Sequence, residues 1–318
     1  MSLEKLKAAL ERETVTVDKQ ESLDLLKLVS TNANDSNQYL VFRGSNNEVY
    51  AKNVSKIEEL LIFKDLNIVK NSTNEYIIGT ADVRGKMTTI VNFDKWMGNE
   101  INNETEYELA LLANYGGHRF AIVVKSVEFI TSIEASNMSD NSSDNEKSLF
   151  MVKVKVGSEY KLCSIFDSDR LLLDLFDEIG TNSDETIAQA TFNRSTKKMI
   201  IFCDDSKFIR VMVEKLLTKL NIPYKIYDDG KLLVDDLKNI IIEDIGLFIT
   251  DIEMPLMGGR EVIAHIRDDH NYDNIPIIVH TNMSNSIMTQ ELKNAGAAAI
   301  IGKVNMLELS EAIEEYII

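Results

Sequence analysis

Five polar residues stand just beyond short apolar runs: Asp204-Asp205 after MIIFC, Asp251 after LFIT, Thr281 after IIVH and Lys303 after AAAIIG. Taken singly, each has an ordinary reading. Asp251 could cap a helix or sit in a loop, Thr281 could end a strand, and Lys303 could be solvated. Their recurrence in one order is what joins them. If the runs are parallel strands, their carboxyl ends lie on one edge of a sheet and the five side chains converge. Three carboxylates at one point repel, so they call for a small hard cation with oxygen ligands, such as Mg²⁺. With that charge offset, Asp251 could act as the nucleophile towards a phosphoryl donor. The Lys303 ammonium and the Thr281 hydroxyl would stabilise oxygens of the transferred group.

The elements needed to position these residues can be read from residue 198 onward. Met199 to Cys203 is an apolar strand, and Ser206 can cap a helix. That helix carries Ile209, Met212, Val213, Leu216, Leu217 and Leu220 on one face. Pro223–Tyr227 reads as a strand, Leu232–Leu237 as a helix, and Leu247–Thr250 as a buried strand. A helix at Arg260–Arg267, a strand at Ile277–His280 and a helix at Ser286–Asn294 follow. A strand at Ala298–Ile301 and a helix at Met306–Ile317 complete the chain. Five strands alternating with five helices predict a doubly wound parallel sheet. His280 precedes Thr281 and should face the other side of its strand, as a packing residue.

Upstream, the texture is different. Tyr39–Phe42 and Val49–Ala51 read as a hairpin around Gly44–Asn47, and Glu75–Ile78 as a short strand before Gly79. Met87 to Phe93 alternates with period two, and Leu109–Ala113 with Phe120–Val124 forms another hairpin. Val152, Val154 and Val156 alternate with Lys153 and Lys155, a half-exposed strand that turns into Tyr160–Ile165. Many short strands predict an all-β barrel or sandwich architecture. By composition, Ser136–Ser148 is a surface loop and residues 181–197 are a linker. Residues 1–35 form a helical leader with Leu3, Leu6 and Leu10 on one face, packing on its own domain or against a partner. The organisation expected is therefore 1–35 leader, 36–180 β domain, 181–197 linker and 198–318 α/β domain.

Composition narrows the function classes. A net charge of −17 argues against binding a phosphate backbone or an anionic membrane surface. No apolar run reaches the roughly 18 residues of a spanning helix, and MSLEKLKAALERE lacks a signal-peptide core, so a soluble cytoplasmic protein is expected. Cys163 and Cys203 are far apart, and His118, His265, His270 and His280 show no ligand spacing, so neither a disulfide nor a zinc site is expected.

The motifs FCDDS, TDIEMPLMGG, IPIIVHT and NAGAAAIIGK, in this order across residues 198–318, resemble the receiver domain of two-component response regulators. The resemblance implies that Asp251 is the phosphoacceptor and that Asp204, Asp205 and Asp251 hold Mg²⁺ with the Glu253 backbone carbonyl. It further implies that Thr281 is the switch hydroxyl and Lys303 the phosphate-binding lysine. Two positions depart from the family pattern. Val304 stands where a proline in a cis bond is usual, so a trans or strained loop is expected. Ile300 stands at the usual aromatic switch position, so no ring can swing there. The Glu253 side chain either approaches the phosphoryl group or points to solvent.

YIIGTADVRGKMTTIVNF resembles the CheW-domain hallmark through Gly79, Arg84, Gly85 and Val91, and GGHRFAIVVKSVEFI and CSIFDSDRLL fit the same family. Asp82-Val83-Arg84-Gly85 replaces the usual NLRG. The implied fold is a pair of small five-stranded barrels bridging chemoreceptors to the histidine kinase CheA. Gly79 and Gly85 would serve tight turns, and Arg84 is an internal strut or an interface contact. The order CheW-like double barrel, linker, receiver resembles the CheV family of chemotaxis coupling proteins. The implied function is non-enzymatic: a scaffold at polar chemoreceptor arrays, its coupling modulated by phosphorylation of Asp251. A phosphate sink draining phospho-CheA is the alternative. An aspartyl phosphatase is remote, because the candidate nucleophile follows the third strand and reads Asp251-x-Glu253.

Overall fold

The computed structural model describes residues 38–70, 72, 74–101, 107–115, 118–133, 138–140, 147–176, 185–282, 286–303 and 305–318. The leader read over residues 1–35 and the departure read at Val304 lie outside them. The chain divides into two compact units, one ending at Asp167 and the other beginning at Ser168.

The first unit is built from eleven described strands and a short helix. These are β1 (Gln38–Arg43), β2 (Val49–Asn53), β3 (Glu59–Ile62), β4 (Ile77–Val83), β5 (Lys86–Asn92), α1 (Phe93–Met97), β6 (Leu109–Tyr115), β7 (His118–Val124), β8 (Ser126–Ser132), β9 (Met138–Asp140), β10 (Ser148–Val156) and β11 (Glu159–Phe166). One sheet runs β8-β1-β2-β11-β10-β9 and the other β3-β6-β7-β5-β4. Alternation selects the buried faces. Val152, Val154 and Val156 are buried while Lys153 and Lys155 are exposed, and the buried set packs with Tyr39, Val41, Val49, Ala51, Cys163 and Ile165. The second sheet encloses Ala81, Val83, Ile90, Ala110, Leu112, Ala121 and Val123. Phe93 of α1 packs edge-on against Phe42, Tyr50 and Phe166, with Phe93–Phe166 centroids 4.9 Å apart, and Trp96 packs edge-on against Phe166.

Three sequence expectations change here. The stretch 136–148 contributes the strand β9, which makes the first sheet six-stranded, because its backbone pairs with β10 at Phe150, Met151 and Val152 whatever its side chains are. The strand expected at Glu75–Ile78 starts at Ile77 and runs through Gly79 to Val83. Gly79 therefore serves no tight turn. It lies next to a register shift between Ile77 and Gly79, and a Cβ there would collide with the Val69 carbonyl oxygen, where Val69 bridges Thr80. Gly85 does turn the chain, with φ +76° between β4 and β5.

The second unit opens with α2 (Ser168–Leu175). Within the stretch read as a linker, residues 185–189 are helical, and Ile187 and Ala190 join the core of this unit. Then come β12 (Met199–Cys203), α3 (Lys207–Leu220), β13 (Tyr224–Tyr227), α4 (Gly230–Asp236), β14 (Ile245–Thr250), α5 (Gly259–Asp268), β15 (Ile277–His280), α6 (Ser286–Asn294), β16 (Ala299–Ile301) and α7 (Met306–Tyr316). All four strand pairings are parallel, in the order β13-β12-β14-β15-β16. The six apolar residues read on the α3 face are all buried, and Ser206 caps that helix by accepting from the Ile209 amide. Apolar layers cover both sides of the sheet: one holds α3 and α7 residues, the other α4, α5 and α6 residues.

Candidate functional site

The sheet order reverses between β12 and β14, and the carboxyl ends of these neighbours carry Asp204, Asp205 and Asp251. Ladder hydrogen bonds fix their height: the Asp251 amide donates to the Cys203 carbonyl at 2.9 Å, and the Thr281 amide to the Ile301 carbonyl at 2.9 Å. All five sequence-read residues are buried: Asp204 at 0% exposure, Asp205 at 8%, Asp251 at 2%, Thr281 at 4% and Lys303 at 2%.

Lys303 is the hub. Its Nζ lies 2.9 Å from Asp251 Oδ2, 3.0 Å from Asp204 Oδ2 and 2.9 Å from Asp169 Oδ2. The second oxygens are held by backbone: Asp204 Oδ1 accepts from the Ser206 amide at 2.9 Å, and Asp251 Oδ1 from the Ile252 amide at 2.7 Å. Arg210 of α3 donates to the Asp204 and Asp205 carbonyls at 2.7 and 2.8 Å, pinning that turn. Burial works against the Lys303 ammonium, yet Asp169, Asp204, Asp251 and Asp205 together outweigh it and hold its pKa well above the ordinary lysine value. Asp204 is pushed well above the ordinary carboxylate range, chiefly by burial and then by the neighbouring carboxylates, with Lys303 opposing. The cluster is thus richer in negative charge than one ammonium can balance.

The carboxylates of Asp204, Asp205 and Asp251 each offer an oxygen, all within 4.8 Å of one another. This all-oxygen, charge-rich set fits a hard divalent cation.

The loop after β14 is held from two sides. Asp229 caps α4 through the Lys231 amide at 2.8 Å and also accepts from the Leu256 and Met257 amides at 2.8 and 3.1 Å. A Cβ on Gly259 would collide with the Asp251 carbonyl oxygen, so the start of α5 approaches Asp251 as only glycine permits. Glu253 in this loop is half-buried. Ile300 is half-buried against the apolar layer of α4 to α6. His280 is fully buried with its ring 6.0 Å from Phe202 and both nitrogens unpartnered, a packing position.

Sequence reading missed Asp169, Asn282, Arg210 and Asp229. Asp229 and Arg210 act on backbone groups, which no side-chain pattern displays. Asp169 precedes Lys303 by 134 positions, and only folding brings it there. Gly79, Arg84 and Gly85 belong to the other unit. Arg84 has φ +55° in the β4–β5 turn, its side chain is 68% exposed, and it pairs with Glu59 at 2.5 Å.

Known proteins carry the same two parts. The CheW-like domain family matches residues 38–176 and the response regulator receiver domain family residues 200–314. Chemotaxis protein CheV2 of Helicobacter pylori is 24% identical over 309 residues, covering 92% of this chain and 98% of its own. Chemotaxis protein CheV1 of the same organism is 24% identical over 316 residues, covering 92% and 96%. Among solved structures, the scaffolding protein TtCheW from Thermoanaerobacter tengcongensis is 19% identical, covering 41% of this chain and 88% of its own with a TM-score of 0.36. Chemotaxis protein CheY4 of Vibrio cholerae is 24% identical, covering 38% and 100% with a TM-score of 0.36. Carrying a CheW-like domain ahead of a receiver domain, and alike to these CheV proteins along nearly its whole length, the chain belongs to the CheV family of chemotaxis proteins.

Proposed function

We propose that this protein couples chemoreceptors to the histidine kinase CheA and that phosphorylation of Asp251 modulates the coupling. The observation that carries the reading is the buried convergence of Asp251, Asp204 and Lys303 at the switch of a parallel sheet, with Nζ 2.9 Å from Asp251 Oδ2. An Asp251 oxygen attacks the phosphorus of a phosphohistidine; the P–O bond forms as the P–N bond breaks, and the imidazole leaves with the electron pair and takes a proton from water. Lys303 donates to a phosphoryl oxygen, and the Thr281 hydroxyl to another. Asp204, Asp205 and Asp251, with the Glu253 backbone carbonyl, would hold Mg²⁺, which when bound offsets the charge that otherwise repels an incoming phosphoryl group.

In this reading the chain works in the cytoplasm at polar chemoreceptor arrays, and its only chemistry is accepting and hydrolysing a phosphoryl group. Arg84, exposed in the turn between β4 and β5, is the candidate contact of the coupling domain.

Transfer of labelled phosphate from phospho-CheA to an Asp251→Asn variant is expected to be abolished, and Lys303→Ala to slow it about a hundredfold. Labelling of Asp251→Asn at the wild-type rate would overturn the reading. Ternary assembly with CheA and a receptor tip is expected to change when an acyl-phosphate mimic is added. An assembly indifferent to the mimic, with labelling intact, makes the chain a phosphate sink.

A further inference from the structure

Asp169 has no place in the chemistry above, yet it sits in the middle of it. Its Oδ2 lies 2.9 Å from Lys303 Nζ, and its Oδ1 accepts from Asn282 Nδ2 at 2.9 Å, one residue beyond Thr281. An ammonium has three protons, and three carboxylate oxygens, those of Asp169, Asp204 and Asp251, stand at 2.9–3.0 Å from this one. The hydrogen bonds of Lys303 go to Asp169 Oδ2 and Asp251 Oδ2, while Asp204 Oδ2 receives none, so a phosphoryl oxygen approaching Lys303 competes with Asp169 for the ammonium.

Two of them are built into the sheet edge. Asp251 is held by the Ile252 amide through its side chain and by the Cys203 carbonyl through its backbone, and Asp204 by the Ser206 amide. Asp169 comes from α2, a helix of eight residues outside the strand–helix alternation. Its neighbour Arg170 lies over the Phe208 ring of α3 at 5.7 Å, a second seat for the same helix. Four carboxylates surround one lysine, so adding a doubly charged group while Asp169 stays is electrostatically the least favoured outcome.

We propose that Asp169 is a built-in occupant of the phosphoryl-binding position, an autoinhibitory carboxylate that the phosphoryl group on Asp251 expels. The proposal rests on the reading of Asp251 as phosphoacceptor. It supplies an output route that needs no swinging aromatic ring at Ile300. Only Asp167 separates α2 from β11, the last strand of the CheW-like unit, so releasing α2 frees the segment by which the chain leaves that domain. Before phosphorylation the clasp slows entry of the donor; after it, the helix is loose.

The test uses the full chain, acetyl phosphate with Mg²⁺ as donor, and hydrogen exchange over residues 168–175. In wild type, phosphorylation is expected to raise exchange in this segment. Asp169→Asn, which keeps the shape and removes the charge, is expected to label on Asp251 three- to tenfold faster and to show raised exchange before any donor is added. Arg170→Ala, which loosens the helix without touching the pocket, is expected to shift both readouts the same way by less. If wild type labels on Asp251 but Asp169→Asn labels no faster, or if exchange at 168–175 is unmoved by phosphorylation, Asp169 is a plain structural pair and the inference falls alone. If wild type and Asp251→Asn label alike, the phosphoacceptor reading fails and the inference with it.

Discussion

At the scale of single residues, the chemistry of this molecule is a problem of charge balance. Lys303 carries a positive charge shared by four buried carboxylates, and removing it takes that charge away from all of them. Lys303→Met is expected to destabilise the receiver by about 3–5 kcal/mol in urea without divalent ions, and millimolar Mg²⁺ to recover part of the loss. A loss unaffected by Mg²⁺ would show that the carboxylates do not share one cation site. His280 sets a second, pH-dependent balance. Burial, and then the nearby Lys303, lower its pKa to about 3. The unfolded chain takes up this proton near pH 6.5, whereas the folded chain resists it until about pH 3. Stability from this group is therefore whole above pH 6.5 and lost as pH falls from there. Between pH 7 and pH 5 the wild type is expected to lose about 2 kcal/mol more than His280→Leu, measured by denaturant titration at both values. Equal losses would mean that the ring is hydrated.

At the scale of elements, the site depends on segments that carry none of its chemistry. The loop from Ile252 to Gly258 has little regular structure, and the Asp229 carboxylate gathers three backbone amides at its edge, those of Lys231, Leu256 and Met257. Asp229→Ala orphans those amides and is expected to cost about 1–3 kcal/mol and to lower the rate of phosphotransfer without removing an acceptor. An unchanged rate, with the stability loss present, would detach the loop from the chemistry. Some elements were legible in the residues. The α3 stripe of Ile209, Met212, Val213, Leu216, Leu217 and Leu220 repeats at helical spacing and is buried as a set. The strand through Gly79 was not, because glycine is read as a stop. Here it admits the Val69 carbonyl, a tertiary neighbour that a local pattern cannot show.

At the scale of the whole molecule, two compact units, each with its own apolar core, are joined in one chain. Thermal unfolding is expected to show two transitions, and Mg²⁺ at a hundred times its Kd to stabilise the later unit alone, by about 2.7 kcal/mol. A shift of both transitions together, seen by calorimetry with and without chelator, would mean that the units unfold as one.

The residues by themselves determined the class of each half and the edge at which Asp204, Asp205, Asp251, Thr281 and Lys303 stand. Both follow from local periodicity: alternation separates buried from exposed positions along a strand, and parallel strands send their ends to one edge. Tertiary structure alone decided that Asp169, from a helix outside the strand–helix alternation, would share the Lys303 ammonium with Asp251 and Asp204. An ion pair across 134 positions leaves no periodic trace, since either partner reads on its own as a solvated charge. What Asp251 could do was written locally; what stands in its way was written by the fold.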